Sequence, residues 1–461
     1  MSGPVLCRAA QGGLGIFCFI RKYVLRIKNA PFDRKVCPAN RNTFQSLLFE
    51  KWKGFPAAEW TTDESETLRE EIIFKKRERR IMELEEFVLK PRIYMGKGGL
   101  DKLLTGVDRA FIVTDRFMHE SGKVSYLTEP MKAHNVRYEI FSDVKPDPDI
   151  ATVTKGIGQL LDFKPQILFA LGGGSPIDAA KAMSWLSVKG GLAEKITFVA
   201  IPTTSGTGSE VSRFSVISDP EKAAKYPLIS DEVLPDAAIL DAELVRSVPP
   251  SVTADTGIDV FTHAIEAFVS TGADDFTDAA AEKALKLVRS NLLKVYKNPD
   301  DLEARQKMHH ASCLAGIAFS NAGLGLVHGM AHTMGAHFHI PHGRANGILL
   351  PYVMAFNAGC HDSLTPVAAR YARIARVLRL EGPSIRQSAF SVVRTARQYV
   401  RQLHIPDTIQ AAGISREQFE AALDEMAEAA LMDACTGTNP RSCTEEEIRE
   451  IFRRAYTGKL I

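Results

Sequence analysis

The sequence predicts a parallel α/β domain followed by an all-helical one, on three observations. Between residue 82 and about residue 247, short apolar runs alternate with helix-spaced amphipathic segments. From about Val248 onward, strand signals nearly vanish. The second half also gathers histidines: of the 12 in the chain, five fall between His328 and His342.

At 461 residues the chain is too long for one small core, so two domains plus extras is the natural reading. Apolar content of 45% and charged content of 24% are ordinary for a soluble globular protein. A net charge of +2 calls for neither nucleic acid nor a membrane surface. No apolar run approaches the ~20 residues of a membrane span. The 7 cysteines (Cys7, Cys18, Cys37, Cys313, Cys360, Cys435 and Cys443) are scattered, odd in number and lack any C-x-x-C. A reducing, cytoplasmic setting with free thiols follows, and no cysteine metal site is indicated.

Residues 1–81 read differently. Met1–Phe32 has no acidic residue but carries Arg8, Arg21, Lys22, Arg26 and Lys28 around a short apolar piece, Gly13–Ile20. A charged helix is expected over TLREEIIFKKRERRIMELEEF. Three readings stay open: an upstream extension without catalytic role, a targeting or docking helix, or an organelle presequence. Compact patterning begins near Glu83, with Met82 where an independent start would fall.

Within residues 82–247, RAFIVTD (Arg109–Asp115) reads as a buried strand ending in a carboxylate. Val136–Val144 is a second strand, Lys145–Asp149 a turn and Ala151–Phe163 an amphipathic helix. Gln166–Leu186 reads as strand, glycine turn and helix; Ile196–Glu210 as strand and small-residue loop. Gly172-Gly173-Gly174-Ser175-Pro176 lets backbone N–H groups approach a pyrophosphate, with Ser175 capping the next helix and Pro176 in its first turn. Thr203, Thr204, Ser205 and Thr207 add hydroxyl donors, and in an open sheet both loops sit at the carboxyl edge. A purely structural tight turn is the alternative for the glycines; the second loop favours a nucleotide. Asp115 either accepts from an adenosine ribose hydroxyl, favouring NAD over NADP, or is a solvated strand-end aspartate. The first domain is therefore expected to be a Rossmann-like nucleotide-binding domain.

Residues 248–461 are expected to form a helical bundle packed on it. Asp259 and His263 lie four apart and share a helix face, as do His328 and His332; His342 is expected in a loop, Pro341-His342-Gly343. Asp259, His263, His328 and His342 read as a metal site with a position left for substrate, and His332 could converge on it. These ligand types permit Fe2+, Zn2+, Mn2+ or Ni2+. Each histidine has a bland alternative as a packed or surface residue, and His337, His339, His309 and His310 are read that way. The cleft between the domains is where cofactor and metal would meet.

GGGSPIDAAKAM, PTTSGTGSEV, GIDVFTHAIEAFVS, GLGLVHGMAHTMGAHFHIPHGRANGILLP and CTGTNPR together resemble the iron-dependent (group III) alcohol dehydrogenases. The likeness runs from about residue 84 to the C-terminus. The chain is similar to the alcohol dehydrogenase half of bifunctional aldehyde/alcohol dehydrogenases and to microcompartment-associated propanol or ethanol dehydrogenases. The resemblance implies metal ligands at Asp259, His263, His328 and His342 and a proton-relaying histidine at His332. It implies nucleotide contacts at Asp115, Asp147, Gly173, Gly174, Ser175, Asp178, Thr203, Thr204, Thr207, Phe214 and Lys225. At Asp147 many members carry Asn in a P-N-P turn, whereas P-D-P here puts an extra carboxylate near the phosphates.

The implied activity is reversible hydride transfer between NAD(H) and a small primary alcohol or aldehyde. Fe2+ is the implied metal and Zn2+ the alternative. A homodimer or larger assembly is implied, with residues 1–81 as one candidate for docking to a microcompartment shell. Three rivals remain: a zinc-dependent glycerol-type polyol dehydrogenase on the same scaffold, a non-catalytic assembly subunit, and a metal-assisted lyase.

Overall fold

Among the described residues there are eight strands: β1 (Arg92–Met95), β2 (Arg109–Asp115), β3 (Arg137–Val144), β4 (Ile167–Gly172), β5 (Thr197–Pro202), β6 (Phe214–Asp219), β7 (Ala224–Ile229) and β8 (Ala237–Leu240). The computed structural model describes residues 86–220, 224–360 and 363–460. The extension, docking and presequence readings of residues 1–81 lie outside them. Six strands form one all-parallel sheet in the order β1-β8-β5-β4-β2-β3; β6 and β7 form a separate antiparallel hairpin.

Strands covered on both faces read as continuous apolar runs, and every residue of β4 is buried. Helices α1 (Gly99–Leu104), α2 (Arg116–Glu120), α3 (Ser125–Ala133), α4 (Ile150–Phe163) and α5 (Gly174–Lys189) alternate with the strands. Leu100 and Leu104 of α1 and Leu127 and Met131 of α3 pack on one face with Ile112, Phe169 and Ile239. Val153 and Leu160 of α4 and Ile177 and Met183 of α5 cover the other, with Phe111, Leu168 and Phe198. Burying a side chain such as Phe169 contributes about 1.5–3 kcal/mol.

The second half is helical: α6 (Ala242–Val245), α7 (Pro250–Val269), α8 (Asp275–Lys297), α9 (Leu302–Ala322), α10 (Leu326–Phe338), α11 (His342–Ala358), α12 (Ala368–Val377), α13 (Ile385–Gln402), α14 (Arg416–Met432) and α15 (Glu445–Thr457). Helix α7 is its axis: nearly every residue from Gly257 on is buried, against α8, α9 and α11. Capping boxes at Asp274/Thr277, Ser415/Gln418 and Thr444/Glu447 start α8, α14 and α15. Residues Leu89–Ile461 pack as one unit. Among the described residues no single helix is long and apolar enough to cross a membrane.

Two local expectations are corrected. His342 is not in a loop but is the first residue of α11, because Pro341 brings the chain in extended and the helix starts at once. The β6–β7 hairpin and the short strands β1 and β8 were not predicted; β8 is only AAIL, too short for any period to show.

Candidate metal centre and nucleotide edge

Helix α7 carries Asp259 and His263 one turn apart, α10 carries His328, and α11 starts with His342. The Nε2 atoms of His263, His328 and His342 lie 3.8, 3.8 and 3.7 Å from Asp259 Oδ1. A first-row ion with ligand bonds of about 2.0–2.2 Å sets tetrahedral donors roughly 3.3–3.6 Å apart, so the cage fits with a slight contraction. Asp259, His263 and His328 are buried; the His342 side chain is 44% exposed and opens one side of the cage.

Burial pushes the imidazoles of His263 and His328 below their usual range. At His263 the Asp259 charge and the Gly206 carbonyl oppose it, whereas at His328 the neighbouring histidines add to it. Both rings are therefore held neutral with lone pairs available, the state a cation needs. Asn346 of α11 marks the same point: its Nδ2 donates to Asp259 Oδ1 at 2.7 Å and lies 3.1 Å from both His328 Nε2 and His342 Nε2. An amide has two protons for these three acceptors, and its Oδ1 is left buried without a partner. The donor set fits a divalent cation better than it fits an amide.

Glu266 lies seven residues beyond Asp259 on α7. His328 Nδ1 donates to Glu266 Oε2 at 2.6 Å, and the Val327 N–H donates to Oε1 at 2.7 Å. This bond turns the His328 Nε2 lone pair toward the cage. Burial pushes the Glu266 carboxyl up to about 8, against backbone donors from Val327, Gly325 and His328. Sequence reading missed Glu266, although an acid at i+7 on the face of Asp259 was a usable signal. Glu266→Gln is expected to weaken metal affinity about 10–100-fold, read by chelator competition. Arg344 clamps the start of α11 to α7, its Nε and Nη2 each 3.1 Å from an Asp255 carboxylate oxygen.

His332, the second member of the pair on α10, stacks on His342 with ring centroids 5.4 Å apart. It therefore lies beside the cage. Its Nδ1 is 2.8 Å from Asp433 Oδ2, which selects the tautomer with Nε2 as acceptor. Burial pushes the Asp433 carboxyl up, but the His332 hydrogen bond and charge, with Cys435, outweigh it and hold it below its usual range. No sequence signal tied Asp433 to a histidine on another helix.

The predicted nucleotide loops also come together. Gly172 pairs with Pro202 across β4 and β5, and the Thr203 N–H donates to Gly172 O at 2.9 Å. A Cβ on Gly174 would sit 3.0 Å from Thr207 Cγ2, and one on Gly173 would sit 3.5 Å from Thr204 Oγ1. Ser175 does not cap α5, a correction: the cap is Gly173, without any side-chain bond, and Ser175 lies inside the first turn. The close approach of the glycines to Thr204 and Thr207 lets the helix begin early and leaves backbone N–H groups at its end.

Asp115 ends β2 on the same edge and caps α2, its Oδ1 accepting from the Met118 N–H at 2.8 Å. Asp147 has a φ of 53°, which Asp and Asn tolerate, and its carbonyl accepts from Ser218 Oγ at 2.6 Å. Asp178 braces the second loop, accepting from Ser209 Oγ at 2.6 Å and the Val216 N–H at 3.1 Å. Lys225 lies in β7 opposite Ser218; its side chain is outside the described residues.

Contacts join the two sites. Phe214 of β6 packs on Phe319 of α9 at 6.1 Å, and Phe319 packs on His263 at 4.6 Å. Gly206 lies so close to α7 that a Cβ there would meet Thr256 Cβ at 2.7 Å. Ser205 Oγ is 2.9 Å from Nδ1 of His309, a buried ring that desolvation pushes down to about 4 and so keeps neutral.

Residues 90–242 match the family model for iron-containing alcohol dehydrogenase, and residues 253–456 match the C-terminal model of the Fe-containing alcohol dehydrogenase family. The 1-propanol dehydrogenase PduQ of Salmonella typhimurium is 45% identical over 372 residues, covering 80% of this chain and 99% of that protein. The NADPH-dependent butanol dehydrogenase of Clostridium saccharobutylicum is 41% identical over 389 residues, covering 81% and 98%. The structure of the iron-containing alcohol dehydrogenase from Thermococcus thioreducens is 34% identical, with a TM-score of 0.74 over 81% of this chain and all of that one. The chain belongs to the iron-containing alcohol dehydrogenase family.

Proposed function

We propose that this chain interconverts small primary alcohols and aldehydes with NAD(H), using Fe2+ held by Asp259, His263, His328 and His342. One observation carries this reading. A carboxylate and three imidazoles converge on helices that also hold the predicted nucleotide loop, through Gly206 on Thr256 and Phe214 on Phe319 on His263. When bound, the ion supplies Lewis acidity and the nicotinamide supplies the hydride.

The chain does the rest. Backbone N–H groups at Gly173, Gly174 and Ser175 receive the pyrophosphate, and Asp115 takes a ribose hydroxyl. Asp147, Asp178, Thr203, Thr204, Thr207, Phe214 and Lys225 complete the nucleotide pocket. Asp115 favours NADH over NADPH, although one relative is NADPH-dependent by name. His332 accepts the alcohol proton at Nε2 and returns it in the reverse direction, oriented by Asp433. His332→Ala is expected to lower kcat about 10²–10⁴-fold with the iron content of the Asp259 cage unchanged. Loss of that iron in the variant would make His332 a ligand of the cage instead.

The domain division is placed between residues 247 and 248, supported by the gap between the two family models. Residues 1–81 take no part in catalysis on this reading, and the working unit is a homodimer or larger assembly. Deleting 1–81 should leave turnover intact; a change of localisation in that variant would assign the segment to docking, and unchanged localisation and partners would rule docking out.

The test is anaerobic NADH oxidation with propanal and acetaldehyde, on metal-stripped protein reloaded with Fe2+ or Zn2+. Recovery with Fe2+ supports the proposal. Recovery with Zn2+ alone would favour the polyol-type reading, and recovery with neither, in protein that still binds NADH, would point to a different substrate class or a non-catalytic role.

A further inference from the structure

A second group of ligating side chains stands at the mouth of the cage. His332 of α10, Asp433 just after α14 and Cys435 two residues on have donor atoms all within 4.8 Å of one another. The Asp433–Cys435 side is a fixed turn, with the Cys435 N–H donating to Asp433 Oδ1 at 2.8 Å and the Thr436 N–H to the Asp433 carbonyl at 3.1 Å. The His332 side is already aligned, its Nδ1 2.8 Å from Asp433 Oδ2. The His332 side chain is 42% exposed and the Asp433 side chain 20%, so an ion has a way in and a side left open.

We propose that His332, Asp433 and Cys435 form a second metal site, suited to Zn2+ and distinct from the nitrogen–oxygen cage beside it. The donor types separate the two. Asp259 and its three histidines offer no sulfur, whereas thiolate, imidazole and carboxylate together are a zinc set. Charge favours it as well. Asp433, held ionised beside His332, gives an entering dication a negative partner, and the ion takes the place of the proton that burial keeps on Cys435. Binding releases the thiol proton to solvent and forms a Zn–S bond, with no change in oxidation state.

The site bears on function through one ring. With Nδ1 on the ion, the proton of His332 resides on Nε2, which then donates and cannot accept. An occupied second site therefore switches off the proton relay while the first cage stays intact. The spacing of the cysteines in the chain hides this site, because its histidine is 101 residues from Asp433 in sequence.

Co2+ is the probe, since thiolate ligation gives a near-ultraviolet charge-transfer band that nitrogen and oxygen ligands do not. Full-length, metal-stripped, reduced protein is titrated anaerobically. The expected result is two Co2+ ions per chain and a thiolate band, with Cys435→Ser losing the band and one ion. Asp259→Asn should keep the band and lose the other ion, so failure of the first cage is read separately. In the Fe2+-loaded enzyme, excess Zn2+ should inhibit at least about tenfold with iron content unchanged, and Cys435→Ser should resist, each measured against its own rate. One Co2+ per chain without a band, a band that survives Cys435→Ser, or equal zinc inhibition of that variant would overturn the proposal.

Discussion

Asp259→Asn is expected to abolish Fe2+ binding in the cage and lower turnover by about a thousandfold or more, since Lewis-acid stabilisation is worth several kcal/mol. Asp259 Oδ1 is the hub of the cage, with each of three Nε2 atoms 3.7–3.8 Å away. It is the one carboxylate of the four donors, so its loss removes the charge that holds a dication among neutral rings. Asn has nearly the same shape, so packing in α7 is retained. The stability sign distinguishes loss of the site from unfolding. In stripped protein the buried carboxylate has no cation, so stripped Asp259→Asn should melt at or above stripped wild type. Metal analysis and a thermal melt check both arms, and full metal content in the variant would contradict the assignment.

Gly343→Ala should damage the same site through the backbone. A Cβ there would stand 2.1 Å from the Asp255 carbonyl oxygen and 3.1 Å from Asp259 Cβ. Neither atom can swing away as a side-chain tip can, so α11 must lift from α7. His342, Arg344 and Asn346 all ride on that first turn of α11. The expected cost is about 1–3 kcal/mol of stability, with metal affinity at least about tenfold weaker. Gly158→Ala is the control: it is mid-helix in α4 with nothing within 4 Å of the added Cβ, and should stabilise by about 0.5–1 kcal/mol. Metal affinity unchanged in Gly343→Ala would mean that the α7–α11 contact does not set the cage.

Much of this was legible in the chain because the signals are local. Strands β2, β4 and β5 are buried on both faces and read as unbroken apolar runs next to glycine and threonine loops. Asp259/His263 and His328/His332 announce themselves by the i, i+4 spacing of a helix face. What sequence missed depends on tertiary contact. Glu266 gains its role only when α10 packs on α7, Asn346 only when α11 does, and Asp433 only because α14 ends beside His332. The Ser175 cap failed for a related reason, since the loop of Thr204 and Thr207 closes over the glycines and fixes where α5 starts. The short strands β1 and β8 are held by their neighbours and carry little signal of their own.

The most direct test of the Asp259 cage is anomalous diffraction at the iron edge from crystals of the Fe2+-loaded protein. A peak is expected enclosed by Asp259 Oδ1 and the Nε2 atoms of His263, His328 and His342, at about 2.0–2.2 Å from each. Iron ligated by a different set, or a cage in which Asp259 or His342 does not coordinate, would contradict it.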